Sequence, residues 1–524
     1  MNPCLDYGID VRNSCFWRCF AIKKTEVNRC SYPARVLLLG LITAQVLATI
    51  QVYLSNAELY RTLVAIKDAG YLTIPNQQIM HSLQEFGPAF FGGLFFTLSV
   101  GAGLSLCSLA AVWIWDRLTS RNKYLLIPFL MLWMGCLLAV NHRGFSPMVT
   151  LYFLFIPTVV VAATLRWMPK QARQGVWLNR TIHSIPIILL ALLWTSQMDK
   201  HLFLDLRDNL LLSNPLGTTI NDFYYHYTLY PAEVFKSLDQ KILKTCNLEG
   251  IRKKAMIRSV ERELLNHDFL PVAAATEAHL KIAQEDNNLV FESGGRTILR
   301  ATPEDFFATP GTVLKEFSLK TDRHAFFRQF TFYSLLIGFP ITLYVMLYAL
   351  FRVVSCLFLD LRASSVIAPV LCFFIGITLL VVFHQSRVRK VEVRDLNEAL
   401  ESRRWQKRVA ALKTIERNGM EVGDFQAYHR MLTSPHIPER YWLVKALGAS
   451  RRSETYEDLV SSLDDPHPNV VCMAFYALGQ RGEKRAVKKI LKRIETSDDW
   501  YNQWYAYKTL RTLGWKQTKS KQKP

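Results

Sequence analysis

The sequence predicts a mainly α-helical protein: a polytopic α-helical membrane domain, a small α+β polar domain inserted into it, and a C-terminal α-solenoid. Three observations lead to this prediction. Half of the 524 residues are hydrophobic while 20% are charged, which excludes a disordered chain. The apolar residues are concentrated in seven runs without Asp, Glu, Lys or Arg. The last part of the chain repeats a helical pattern with a period in the thirties.

The apolar runs have the length of membrane helices. A run of roughly 17–25 apolar residues crosses the hydrocarbon layer as a helix that satisfies its own backbone groups. Some 35 mostly polar residues precede the first run, so it is interpreted as a retained helix and not a cleaved signal peptide. The runs lie at 36–54, 90–115, 124–140, 148–165, 182–198, 331–351 and 365–383.

These runs divide the chain into five predicted parts. A basic segment with cysteines is followed by five membrane helices, the α+β polar domain, two further membrane helices and the repeat domain. The boundaries are 1–35, 36–198, 199–329, 330–384 and 385–524.

Basic residues in the short loops predict the orientation. Four segments on one face carry 15 Lys and Arg, whereas the opposite short loops carry three: Arg61, Lys67 and Arg143. The positive-inside rule therefore places the N-terminus in the cytoplasm. Seven crossings, with the short fifth run counted as one of them, then put residues 199–329 and 385–524 on the outer side.

The polar segment 199–329 is close to neutral, with 17 basic and 18 acidic residues. Apolar spacing predicts helices at 202–212, 232–244 and 253–266, and short strands follow at 278–283, 289–292 and 297–300. Asp205 and Asp208 are interpreted as part of a solvated helix face, and His226 as part of an aromatic cluster. A pocket at the membrane surface that contained His226 and either Asp205 or Asp208 would instead indicate a membrane enzyme.

The C-terminal segment carries 28 basic and 17 acidic residues and repeats a short motif. The motif recurs as Ala411-Leu412, Ala446-Leu447-Gly448, Ala477-Leu478-Gly479 and Thr512-Leu513-Gly514. Two helices per period indicate a solenoid, in which the glycine is expected to end each helix with a positive φ. Residues Asp464-Asp465-Pro466-His467-Pro468 and the helix after them resemble a HEAT-type repeat, similar to the bacterial kind also called PBS-lyase-like.

This resemblance covers about the last quarter of the chain and implies a protein partner bound through the repeat array. Basic residues cluster on one helix, where they could bind acidic protein or anionic lipid, or form a solvated face. Membrane lipid is the second expected partner, nucleic acid is not expected, and the oligomeric state is left open. The candidate partner-binding residues are Lys484, Arg485, Lys488, Lys489, Lys492 and Arg493, with Trp500 and Trp504 on the next helix.

Other features limit the choice of function. Four cysteines, Cys4, Cys15, Cys19 and Cys30, lack the tight spacing of a zinc site, so structural or acylated thiols are expected and no metal or cofactor is predicted. The first four apolar runs contain no Asp, Glu, Lys, Arg or His, which argues against an ion-coupled transporter. Glycines in the second run indicate close helix packing.

The sequence therefore predicts a multi-pass scaffold of a bacterial inner membrane that binds a protein partner, and no catalytic residues. Two alternatives stay open: a transport or export component with a regulatory tail, and an enzyme acting on a lipid-linked substrate.

Overall fold

The computed structural model describes residues 8–117, 119–169, 176–197, 201–273, 277–387 and 390–519. The described chain is mainly helical and contains one five-stranded sheet. It divides into two compact units. The first unit comprises the described parts of Met1–Ala48, Leu94–Asp199 and Phe326–Val382, and the second those of Thr49–Gly93, Lys200–Ala325 and Phe383–Pro524.

The helices before the sheet include the first apolar runs. They are α1 Gly8–Asp68, α2 Gln77–Ser82, α3 Phe86–Phe96, α4 Ala102–Arg117, α5 Ile127–Asn141, α6 Pro147–Trp167, α7 Val176–Thr195, α8 Leu202–Leu206, α9 Pro215–Tyr227 and α10 Leu229–Val234. A π-helical turn at Thr97–Gly101 joins α3 to α4, so the two form one continuous helical segment.

Six helical segments in the described ranges are long and apolar enough to cross a membrane, by length and composition. The apolar part of α7 is shorter, at Ile185–Thr195. The six segments are Ser31–Asp68, Phe86–Arg117, Lys123–Asn141, Pro147–Trp167, Ala325–Phe358 and Ala363–Ser386.

Helix α1 continues beyond the predicted end at residue 54. The sequence past Ser55 keeps helical spacing, and Leu63 and Ile66 are buried on one face of the extension. The predicted loop after the first apolar run therefore begins at the end of α1, at Asp68.

Small residues allow close packing inside the first unit, as the glycines of the second run predicted. A Cβ added to Gly103 would lie 2.1 Å from the hydroxyl oxygen of Ser334, and one added to Gly101 would lie 2.4 Å from the Cβ of Ala44. The hydroxyl of Thr97 donates to the side-chain oxygen of Gln45 at 2.7 Å. Larger side chains at the two glycines would separate these helices.

The sheet lies in the second unit in the order β2-β1-β3-β4-β5. Strand β1 runs parallel to β2 and β3, whereas β3, β4 and β5 form an antiparallel meander. Gly294 and Gly295 form the tight turn between β4 and β5, and both have the positive φ that such a hairpin turn requires. The elements are β1 Lys244–Gly250, α11 Lys254–Asn266, β2 Phe269–Pro271, β3 Leu280–Glu285, β4 Asn288–Ser293, β5 Arg296–Ala301, α12 Pro303–Ala308 and α13 Pro310–Thr321.

The predicted helix at 232–244 is wrong. Helix α10 ends at Val234, and β1 starts at Lys244 and becomes the second strand from one edge of the sheet. Thr245, Cys246, Asn247 and Leu248 are all buried, because a parallel strand between neighbours is covered on both faces. Helical spacing of the apolar residues there was coincidental. The helix predicted at 253–266 is observed as α11.

The remaining helices close the chain. They are α14 Ala325–Tyr333, α15 Phe339–Phe358, α16 Leu361–Ser386, α17 Leu396–Leu400, α18 Trp405–Arg417, α19 Tyr428–Leu432, α20 Ile437–Leu447, α21 Ser453–Ser461, α22 Pro468–Arg481, α23 Val487–Thr496 and α24 Trp500–Thr512. In the repeat region α18, α20, α22 and α24 pack in series as one layer of the solenoid.

The repeat register differs from the predicted one in the outer repeats. Helices α18, α20, α22 and α24 begin at residues 405, 437, 468 and 500, which are 32, 31 and 32 residues apart. By these starts, Ala446 and Ala477 are equivalent, as predicted, but their counterparts are Thr414 and Thr509. The predicted Ala411 and Thr512 lie three residues away, nearly one helical turn, where small and apolar residues recur as well.

Of the three motif glycines, Gly514 follows the end of α24 with φ +82°, as predicted, whereas Gly448 and Gly479 do not end their helices with a positive φ. Gly448 has φ −63° and Gly479 lies inside α22. Both allow neighbouring helices to approach, since an added Cβ at Gly448 would lie 3.0 Å from the Cα of Ala477. The glycine that ends α22 is Gly482, with φ +76°.

Candidate partner-binding surface

Arginines link successive repeats. In α18, Arg408 donates to the carboxylate of Glu439 at 2.7 Å and to the carbonyl of Ser402. In α20, Arg440 donates to the carboxylate of Asp465 at 2.7 Å and to the carbonyl of Ser434. The two arginines are 32 residues apart, so the same interaction recurs at the repeat period and holds adjacent helices in register.

One side of the array is covered by other segments of the second unit. We call this side the inner face, and it is formed by α18, α20, α22 and α24. Its contacts extend from the first of these helices to the last. The contacting residues are Lys413, Tyr441, Trp442, Asn469, Trp500, Tyr501, Gln503, Tyr507 and Arg511.

Asp208 is the most enclosed charge of this contact, with its side chain 1% exposed. Its carboxylate accepts a hydrogen bond from the indole N–H of Trp442 at 2.7 Å and lies 3.3 Å from the Nζ of Lys413. It also forms an ion pair with Arg207 at 2.7 Å. These partners compensate a buried carboxylate that would otherwise be costly.

Asp205 and Arg207 extend the same ionic cluster. Asp205 pairs with Arg387 at 2.8 Å and with Lys413 at 3.4 Å. The guanidinium of Arg207 lies 4.0 Å from the ring centre of Tyr441. Burial lowers the pKa of Arg207, but Asp208 and Tyr441 raise it by more, so the net shift is upward. The predicted solvated face of Asp205 and Asp208 is therefore wrong: both carboxylates bind the repeat array.

The segment after α1 also reaches the inner face, which the sequence did not indicate. The side-chain amide of Asn76 donates to the carbonyls of Ile494 and Ser497 at 2.9 and 3.0 Å. Its backbone N–H donates to Gln503 at 2.7 Å. A single asparagine has no pattern in the sequence from which such a role could be recognised.

The predicted aromatic cluster around His226 is partly packed against the repeat array and partly exposed. Tyr225 packs on Tyr501 with 4.8 Å between ring centres, and the side chain of Asn221 donates to Asn469 at 3.0 Å. Tyr224 and His226 are exposed on the same helix. The structure thus separates His226 from Asp205 and Asp208, which are bound to the array.

A small cavity of about 80 Å³ lies elsewhere in the second unit, lined by residues that include Glu58, Glu233, Lys241 and His279. The Nδ1 of His279 accepts a hydrogen bond from the backbone N–H of Thr245 at 3.1 Å. Nε2 lies 3.0 Å from the Nζ of Lys241. Burial and the two nearby lysines lower the pKa of His279 to about 3, and burial lowers that of Lys241.

The candidate basic residues lie on α23 and the turn before it. Ala486, Ile490 and Ile494 face the core, and most of the basic side chains are on the opposite, exposed side. We call Lys484, Lys488, Lys489 and Lys492 the basic face. Two further candidates have ionic partners: Arg485 pairs with Glu483, and Arg493 pairs with Asp464.

The two candidate tryptophans face inward to different degrees. Trp500 is buried and meets the ring of Tyr230 edge-on, with 5.1 Å between ring centres. Trp504 is partly buried, and the Nζ of Lys508 lies 3.6 Å from the centre of its ring.

Metal-binding residues do not cluster in the ranges that the structure describes: no group of three or more His, Cys, Asp or Glu there could hold an ion. The side chains of Cys4, Cys15, Cys19 and Cys30 lie outside the described residues. Cys246 and Cys472 are buried and free.

Residues 426–511 match the family model for HEAT repeats, which confirms the predicted repeat type. The match begins just before α19 and ends within α24, so the first helix pair of the array precedes it. HEAT repeats are in general protein-interaction modules. No curated protein and no solved structure matches the chain.

Proposed function

We propose that the protein is a multi-pass membrane scaffold whose HEAT array binds a protein partner through the basic face of α23. The observation that carries this proposal is the division of the array into two surfaces. The inner face is occupied by segments of the same chain, whereas Lys484, Lys488, Lys489 and Lys492 are exposed. A partner that leaves the second unit intact would therefore use the outer surface.

The chemistry of this face defines the partner. Four lysines without a carboxylate between them along α23 create a positive field that attracts an acidic protein surface. Such an interface is expected to associate quickly and to weaken as salt screens the charges.

The experiment compares two triple charge reversals in the full-length protein. Lys488→Glu, Lys489→Glu and Lys492→Glu change the basic face, and Arg252→Glu, Lys253→Glu and Lys254→Glu make the same change of charge at an exposed site at the start of α11. We expect cross-linking to partners in native membranes to fall at least tenfold in the first variant only. Equal partner recovery from both variants would contradict the proposal.

For the membrane arrangement we propose seven crossings in a bacterial inner membrane, with the N-terminus in the cytoplasm. The chain leaves the second unit at Gly93 and returns to it at Lys200. Two of the six long apolar segments lie between these points and a third, Phe86–Arg117, has most of its length there; an odd number of crossings would separate parts of one compact unit. Helix α7, with 20 residues, supplies a fourth crossing of about 30 Å.

The alternative of an enzyme acting on a lipid-linked substrate required His226 beside Asp205 or Asp208. The carboxylates are instead held by Arg387, Lys413 and Trp442, so this alternative loses its motivation.

A further inference from the structure

Helix α9 exposes a continuous apolar stripe. Leu216, Ile220, Phe223 and Tyr224 are 73%, 51%, 39% and 49% exposed. They lie at positions i, i+4, i+7 and i+8, which share one face of a helix. A soluble protein rarely presents large apolar side chains as a continuous stripe, so this face indicates a contact with something apolar.

The opposite side of α9 is fixed within the second unit. Asn221 is buried and bonded to Asn469, and a Cβ at Gly217 would lie 2.3 Å from the carbonyl oxygen of Leu211. Asp222 lies 3.3 Å from the ring nitrogen of His467. These contacts set the rotation of the helix, so the stripe cannot turn inward without breaking them.

The stripe is extended by the start of α3. Phe91 meets Phe223 edge-on with 5.6 Å between ring centres, and Phe90 and Phe86 follow Phe91 in a chain of aromatic contacts. Phe86 is 66% exposed. The two helices thus form one surface, the apolar stripe, composed of Phe86, Phe90, Phe91, Leu216, Ile220, Phe223 and Tyr224.

We propose that α9 lies in the membrane–water interface, with the apolar stripe in contact with lipid. The reason is continuity, since Phe86 is the first residue of the apolar segment Phe86–Arg117. The start of a crossing helix lies at the level of the lipid headgroups, where aromatic side chains are favoured. An amphipathic helix beside it would bury its apolar face at the boundary of headgroups and acyl chains. This inference rests on the proposed membrane insertion.

Lipid is favoured over a protein partner by the composition of the helix. Within α9 the ionisable side chains are Asp222, His226 and tyrosines, and Asp222 faces the repeat array. The exposed stripe therefore offers no lysine, arginine or carboxylate that could orient a protein partner. Contact with lipid acyl chains needs no such groups, because burial of apolar side chains is not directional.

The test is photocross-linking of the full-length protein in vesicles of phosphatidylethanolamine and phosphatidylglycerol. The photoreactive residue p-benzoylphenylalanine replaces one aromatic residue at a time: Phe223 in the stripe, Phe374 in α16, and Tyr476 on the repeat array. All three side chains are exposed in the structure, and the replacement keeps an aromatic ring. Intact mass then shows whether a lipid has been attached.

We expect lipid adducts at positions 223 and 374 and none at 476. Adducts at 374 with none at 223 would overturn the interfacial position of α9 while leaving the membrane insertion standing. Absence of adducts at 374 would overturn the membrane insertion itself, and with it this inference. Equal amounts of lipid adduct at 476 and 223 would show that exposed positions react with lipid wherever they lie. That result would also contradict the interfacial position of α9.

Discussion

Asp208 illustrates how much of the second unit depends on one buried charge. Its three partners come from two separate parts of the chain: Arg207 is adjacent, whereas Lys413 and Trp442 belong to the repeat array. Removal of one member of a buried ion pair leaves its partner uncompensated and costs about 3–5 kcal/mol.

We therefore expect Asp208→Asn to lower the free energy of unfolding of the second unit by about 3 kcal/mol, because Arg207 and Lys413 lose their counter-charge. Melting of the purified protein in detergent measures the change. The matched control is Glu398→Gln, which breaks the exposed 2.9 Å pair with Lys407 and should cost less than about 0.5 kcal/mol. Equal melting of the two variants would contradict this role.

His279 makes the stability depend on pH. Its pKa is about 3 in the folded protein, below the ordinary value of 6.5, so the unfolded chain binds a proton that the folded chain rejects. Its contribution to stability is complete above pH 6.5 and is lost as pH falls toward 3, by roughly 1.4 kcal/mol per pH unit.

His279→Asn keeps an acceptor for the N–H of Thr245 and removes this titration. We expect the variant to lose less stability than the wild type between pH 7 and 5, measured by melting at both values. His429→Asn, at an exposed site, is the matched histidine replacement measured alongside it. The hypothesis is contradicted if the stability of His279→Asn falls between pH 7 and 5 as much as that of the wild type.

At the scale of elements, the repeat helices differ in how closely they approach. Gly448 directly follows the end of α20, and Gly479 occupies the equivalent repeat position inside α22. A Cβ at Gly448 would lie 3.0 Å from the backbone of Ala477, whereas one at Gly479 would make an ordinary contact at 3.4 Å with the side chain of Thr509.

Gly448→Ala should therefore destabilise the array by about 1–2 kcal/mol, because the facing backbone must shift. Gly479→Ala is the matched control and should be neutral or stabilising by up to about 1 kcal/mol, since alanine favours a helix interior. Limited proteolysis of the full-length protein compares the two. Equal resistance of both variants to proteolysis would show that α20 and α22 can move apart without loss of stability.

The sequence predicts elements better than their contacts. Apolar spacing indicates α11 and the repeat helices because each helix buries a periodic face. It fails for β1, whose residues are buried on both sides and lose the alternation of a half-exposed strand. The docking of Asp208 on Lys413 is not predictable, because one sequence contains no signal that joins residues so far apart.

At the scale of the whole molecule, the proposed membrane insertion requires an even number of crossings between successive segments of the second unit. We expect reporters placed after Asp286 and after Lys519 to lie on the same side of the membrane, opposite to a reporter after Arg121. Activity of fused reporters in intact cells measures this. Opposite locations for the first two would exclude the seven-span arrangement, and reversal of all three would correct only its orientation.

The contact between Gln517 and Leu72 has a consequence for synthesis. The side chain of Gln517 bonds both the N–H and the carbonyl of Leu72 across 445 residues. At roughly 5–20 residues per second, Leu72 leaves the ribosome between about 20 and 90 seconds before its partner does. During that interval the residues that contact the inner face in the folded protein have no partner. A chain whose synthesis stops before the last repeat would leave these residues accessible to quality-control proteases.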